Sequence, residues 1–244
     1  MTEASAQQSP DGQSPAGQSP DGQNLPWQRP GGKRRAAIPL APRAREVHQH
    51  ILAGFAATGR ALRRADLADF AHAHGFELDP VLAELGERDM VVFDDRGEIR
   101  AAYPFSPSRT PVRLSWAGGP AVYAMCAIDA LGVSAMLGRP VTITAAEPGT
   151  GRVVIVGVDR DQAQWSPGEA VVYAGTTGSA GCSSADRACG YINFFTSADA
   201  AQAWAASHDN ITGKVLDQAR ALRFGIAEFG TLMQPEAAEP PGST

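Results

Sequence analysis

Cysteine is scarce in this 244-residue chain, which holds only Cys126, Cys182 and Cys189. An odd number argues against a disulfide framework, and no Cys-x-x-Cys pair is present. Free thiols of this kind fit a cytoplasmic protein. Long apolar runs are also missing. No stretch of about 20 apolar residues occurs, so a membrane-spanning helix is not expected. The polar N-terminus lacks the apolar segment of a secretory signal. Aromatic residues make up 7% of the chain, too few to suggest a platform for stacking bases. Positive charge is not in excess: the net charge is -5, which leaves no general footprint for nucleic acid. There is no Gly-x-Ser-x-Gly elbow, and the glycine-rich stretch 175–181 lacks the lysine of a phosphate-binding loop.

What remains is a chain with 43% hydrophobic residues, enough for a sizeable core. Residues 1–40 stand apart. Their five-residue repeat (Gln8-Ser-Pro-Asp-Gly, Gln13-Ser-Pro-Ala-Gly, Gln18-Ser-Pro-Asp-Gly) offers nothing to bury, so a disordered tail is expected. Within it, Lys33-Arg34-Arg35 reads as a solvated charge run. Residues 41–108 read as a helical, winged-helix-like unit. Val47, Ile51, Leu52 and Phe55 fall at helical spacing, as do Leu62, Leu67 and Phe70, then Val81, Leu82 and Leu85. Asp79-Pro80 looks like the start of the third helix. Two strands around Asp94–Gly97 complete the unit. A winged helix suggests DNA binding, but the third helix carries Asp79, Glu84 and Glu87 against Arg88 and would repel phosphates.

Residues 109–235 form the second unit, with a short tail expected over 236–244. A helix is predicted from about 120 to 137, and strands over 140–145, 152–158, 170–174 and 191–195. A helix capped by Thr196 or Ser197 carries Trp204. A final helix within 213–233 uses Val215, Leu216, Leu222 and Phe224 as core. Strands flanked by helices give an α+β fold.

Two thiols and one acid carry the chemistry. Cys126 and Asp129 are an i, i+3 pair, so a helix would place them on one face. Their neighbours Tyr123, Ala124, Met125, Ala127 and Ile128 are mostly apolar. Apolar surroundings raise a carboxylate's pKa and let it hold a proton. Cys189 follows a polar loop and enters a strand, with Arg187 nearby to favour a thiolate. Thiolates prefer soft metals. The plainer reading is a pair of buried cysteines and a structural aspartate. Cys182 reads as an incidental loop thiol or a third ligand. His48 and His50, like His72 and His74, are spaced i, i+2 and point to different helix faces, so neither pair is a chelator.

Tyr123-Ala-Met-Cys-Ala-Ile-Asp129, Met136-Leu-Gly-Arg139, Cys189 ahead of Asn193-Phe194-Phe195, and Trp204 together resemble the organomercurial lyases (alkylmercury lyases). The likeness runs over roughly residues 45–233. It implies a carbon–mercury lyase in which Cys126 and Cys189 bind mercury and Asp129 supplies a proton. It also implies no dissociable cofactor, and delivery of Hg(II) to cellular thiols and then to a mercuric reductase. Departures bear on substrate range and metal selectivity: Glu147 and Gly190 stand where many members have cysteine, and Met125 where others have tryptophan. The competing reading is a mercury- or thiol-responsive regulatory protein that keeps the lyase fold. Neither reading involves a membrane, and the acidic third helix disfavours nucleic acid as a partner.

Overall fold

The computed structural model describes residues 32–177 and 183–234, Arg187 by its backbone alone. The Gln-Ser-Pro repeat, Cys182 and the stretch 236–244 lie outside the described residues. Four helices come first: α1 (Gly32–Ala37), α2 (Pro42–Thr58), α3 (Arg64–Ala73) and α4 (Leu78–Glu87). Pro42 opens α2 where its missing N–H is not needed. Gly59 closes it at φ 75°, a left-handed conformation, and donates its N–H to the Phe55 carbonyl. The apolar faces predicted for these helices are buried in fact: Val47, Ile51, Leu52 and Phe55 on α2, and Val81, Leu82 and Leu85 on α4. Each such side chain contributes about 1.5–3 kcal/mol. The third helix begins slightly before the predicted cap, so Asp79 lies in its first turn, where a negative charge suits the helix dipole.

The strands are β1 (Val91–Phe93), β2 (Ile99–Ala102), β3 (Phe105–Ser106), β4 (Val112–Ser115) and β5 (Val122–Ala124). They continue after helix α5 (Ala127–Leu137) with β6 (Val141–Ala146), β7 (Val153–Asp159) and β8 (Gln162–Ser166). These eight make one antiparallel sheet in the order β1-β2-β3-β5-β4-β6-β7-β8. The hairpin β1–β2 is thus one end of the main sheet. Register follows the apolar alternation: Val154, Val156 and Val158 face in, while Val153, Ile155 and Gly157 face out.

A second sheet, in the order β10-β9-β11, joins β9 (Val171–Thr177), β10 (Ile192–Phe195) and β11 (Ile211–Leu216). Around it lie a single helical turn α6 (Ser184–Arg187), then α7 (Ala198–Ala206) and α8 (Gln218–Phe229). Ser197 is the α7 cap, accepting the Ala200 N–H. The main apolar core runs from Leu40 to Leu232, and a smaller one gathers Tyr173, Phe195 and Ala201 with Trp204. The fold is α+β, with both sheets antiparallel.

Four expectations change. Residues 32–40, assigned by composition to the tail, form α1 and a buried Leu40. Lys33 is an anchor rather than a solvated charge: its backbone N–H reaches Glu228 at 2.7 Å and its ammonium pairs with Asp89 at 2.8 Å. The helix predicted from 120 starts only at Ala127, because Val122–Ala124 pair with β3 and β4. Val215 and Leu216 belong to β11 and not to the last helix. In that strand a β-carbon at Gly213 would lie 2.6 Å from the Tyr173 ring, so glycine lets the ring cross the sheet there.

Candidate active site

Cys126 sits at the junction of a strand and a helix. The Met125 N–H bonds to the Pro104 carbonyl at 3.0 Å, which carries the β5 direction up to the helix start. Cys126 is then fully extended, with φ -157° and ψ -178°, and is the N-cap of α5. Its Sγ accepts the Asp129 N–H at 3.5 Å. Sulfur is a weak acceptor compared with the hydroxyls and carboxylates that usually cap helices. The spacing of Cys126 and Asp129 is therefore that of a cap and the third helical residue, and not of two points on one helix face.

Helix α5 is buried almost all round, as expected of a central element. Its depth is set by α8. A β-carbon on Gly132 would lie 2.4 Å from the Gly225 carbonyl oxygen, and one on Gly225 would lie 2.7 Å from the Ile128 oxygen. The two helices cross backbone on backbone.

Cys189 arrives from the other side. It opens a 3-10 turn, Cys189–Tyr191, between α6 and β10. The Asn193 side chain, from β10, donates to the Gly190 carbonyl at 3.0 Å. The Cys189 Sγ lies 4.0 Å from Asp129 Oδ2. One sulfur from each cysteine and one Asp129 oxygen all fall within 4.8 Å of one another. All three residues are buried: Cys126 is 3% exposed, Asp129 5% and Cys189 8%. The structure thus brings together all three residues singled out in the sequence.

Burial sets the electrostatics. It pushes the Asp129 carboxyl up from 3.8 to about 7, against the opposing pull of the Cys126 contact and of Lys33, while Glu228 and Asp89 push the same way as burial. The Cys126 thiol is raised well above its ordinary value, first by burial and then by the adjoining Cys189 and Asp129. At neutral pH the cluster therefore holds at least one exchangeable proton beside a potential soft-metal site.

The three departures have separate surroundings. Glu147 is buried, and its carboxylate accepts from the Thr196 N–H and hydroxyl (2.7 Å each), the Thr150 hydroxyl (2.6 Å) and the Arg152 guanidinium (2.7 Å). Burial alone would raise its pKa, but these bonds bring it down to about 2. It ties the turn between β6 and β7 to the end of β10. Gly190 is exposed, and a β-carbon there would meet nothing within 4 Å. Met125 packs against the core. Trp204 lies away from the cluster, among Tyr173, Phe195 and His208.

Sequence reading missed a polar layer next to the site: Lys33, Asp89, Tyr103 and Ser184. The one visible cue was Lys33 inside a segment otherwise unfit to fold. Among the described residues, no helix is long and apolar enough to cross a membrane.

Comparison with known proteins bears on fold and family. A mercury-bound crystal structure of MerB2 superposes with a TM-score of 0.64 at 22% identity, covering 83% of this chain and 97% of that one. That match supports the fold. An alkylmercury lyase of Streptomyces lividans is 29% identical over 164 residues, 67% of this chain and 74% of the relative. One of Staphylococcus epidermidis is 30% identical over 140 residues, covering 57% of this chain and 64% of the relative, just under two thirds of its length. The family model MerB, alkylmercury lyase, matches residues 105–230, just over half of the sequence. Those residues include Cys126, Asp129 and Cys189, and the chain belongs to the alkylmercury lyase family.

Proposed function

We propose that the protein is an organomercurial lyase that cleaves carbon–mercury bonds by protonolysis. The observation that carries this is the convergence of two buried sulfurs and one proton-holding carboxyl within 4.8 Å. The substrate is R–Hg bound to an exchangeable thiol. Cys126 displaces that thiol from mercury, and its own proton passes to Asp129. Cys189 then adds to the same mercury, and its proton leaves on the displaced thiolate, which departs as the free thiol. Two sulfurs raise the electron density on the bonded carbon. Asp129, poised near neutrality, gives its proton to that carbon. The carbon–hydrogen bond forms as the carbon–mercury bond breaks, R–H leaves, and Hg(II) remains between the two sulfurs. Oxidation states do not change, so no redox partner is needed.

In this reading no dissociable cofactor takes part. External thiols extract Hg(II), and a mercuric reductase accepts it in the cytoplasm. Residues 41–108 serve as a winged-helix-like cap on a catalytic unit over 109–235. The regulatory alternative finds little support in that cap. Its hairpin is built into the main sheet, and its third helix exposes Asp79, whose partner is Arg64.

The test is incubation with phenylmercury acetate and excess cysteine. Benzene and Hg(II) should appear in equal amounts. Benzene no faster than with the Cys126→Ala variant would sink the proposal.

A further inference from the structure

The Cys189 turn packs Ala185, Ala188 and Cys189 against the apolar core, and polar contacts fix how it begins. Helix α6 is one turn long, and the donors at its start are satisfied by side chains from far along the sequence. The Ser184 N–H, at 3.1 Å, and the Ser184 hydroxyl both bond to Asp89 Oδ2. The Ala185 N–H bonds to the Tyr103 hydroxyl at 2.6 Å. One residue holds both acceptors. The Lys33 ammonium pairs with the Asp89 carboxylate at 2.8 Å and with the Asp89 carbonyl. It also sits 3.5 Å from the centroid of the Tyr103 ring, a cation–π contact. Its side chain is 13% exposed. Asp89 itself stands at φ 51°, a left-handed conformation sustained where the surroundings fix the residue. A separate clamp joins Arg100 to Asp186 at 2.9 and 3.0 Å.

We propose that Lys33 is a positioning residue for mercury binding and cleavage: by holding Asp89 and Tyr103 together, it fixes the α6 turn that sets Cys189 against Cys126 and Asp129. This rests on the lyase reading for the cleavage step, but not for Hg(II) capture by two thiols. Lys33 touches neither sulfur. Beyond its Coulombic pull on Asp129, it acts through two acceptors and a helical turn, and small displacements of a reacting group cost about 10- to 100-fold.

The experiment compares the full chain with two variants. Lys33→Met combined with Asp89→Asn removes both charges, so neither is left buried and alone. Tyr103→Phe removes only the hydroxyl. Three quantities are measured: the melting temperature, the affinity for Hg(II) in competition with a small dithiol, and the rate of benzene release from phenylmercury acetate. Both variants should lose about 10-fold or more in dithiol-competed Hg(II) affinity and in turnover. If the double variant does not fold, Tyr103→Phe decides alone. A lowered melting temperature with parental Hg(II) affinity would overturn the proposal, since that is what a merely structural contact gives. If the parent captures Hg(II) but releases no benzene, the lyase reading falls, while the affinity comparison still decides whether Lys33 positions Cys189.

Discussion

Cys126 is placed by the helix it begins, whereas Cys189 is placed with the help of side chains more than 80 residues earlier in the sequence. The first thiol and Asp129 belong to one N-cap, locked from behind by the crossing of α5 and α8 at Gly132 and Gly225. The second sits on a short turn whose amide donors depend on Asp89 and Tyr103. One half of the site is thus rigid through close packing. The other packs on the same core and is oriented by polar contacts that reach it from distant parts of the sequence.

The sharpest break in this comparison is at the fixed half. Asp129→Asn should keep Hg(II) binding, because both sulfurs remain, and lower turnover about 10²- to 10⁴-fold, because an amide is a poor acid. Cys189→Ser should weaken both, because a hydroxyl is a poor ligand for a soft metal. Single-turnover benzene release and Hg(II) titration separate the two. Stability moves the other way for the Asn variant. With its folded pKa raised from 3.8 to about 7, Asp129 contributes stability that is full below pH 3.8 and is lost as pH rises through about 7. The Asn variant lacks that loss. At pH 8 it should be more stable than the parent, on the order of a few kcal/mol at about 1.4 kcal/mol per pKa unit. Parallel urea stabilities at pH 5 and pH 8 would refute the assignment.

Next comes the wall behind the acid. Gly225→Ala puts a β-carbon 2.7 Å from the Ile128 oxygen and 2.8 Å from the Gly132 nitrogen, and overpacking of this kind costs about 1–3 kcal/mol. Helix α5 must shift, so turnover should fall along with the urea midpoint. Unchanged turnover at lowered stability would show that the site tolerates movement of its fixed half.

Glu147→Gln tests the anchor at the end of β10. Losing charged acceptance from Thr196 and Arg152 should cost about 1–3 kcal/mol at pH 7. The parent's share is present above pH 4.5 and lost as pH falls towards 2, so the Gln variant should show a shallower acid transition in that window. Equal acid slopes would dismiss the carboxylate as an anchor. The smallest effect belongs to Gly190→Ala. Open space surrounds that position, and both stability (within about 0.5 kcal/mol) and turnover should stay at parental values. A marked loss would mean that the Cys189 turn requires glycine at this position.

Much of the fold was legible wherever local pattern and tertiary burial agree. The faces of α2 and α4 and the strands β6, β7 and β10 follow from local pattern, whereas of the predicted α3 face Leu67 alone is buried: Leu62 precedes the helix and Phe70 is half-buried. The cluster residues were legible as chemical types at matched spacings. Their arrangement was only partly so: Cys126 and Asp129 are close because a cap brings them together, and helical periodicity starts one residue too late to show it. Five strands, β3, β4, β5, β8 and β11, were not read from the sequence, and two of them show why. β8 is polar along its exposed edge, and β11 contains a glycine that makes sense only under the Tyr173 ring. Lys33 was hidden by composition, since its partners Asp89 and Tyr103 lie more than 50 residues away.

Gly132 and Gly225 also bear on how related sequences can be sorted. Neither position admits a side chain while the other helix keeps its distance, because the obstacles are backbone atoms that no substitution can trim. A chain that retains the Cys-x-x-Asp segment but has bulkier residues at both places must hold these helices farther apart. Its carboxyl would then stand elsewhere relative to the sulfurs. A pair of small residues on two helices is therefore a marker of the acid's location, carried by positions that take no part in the reaction.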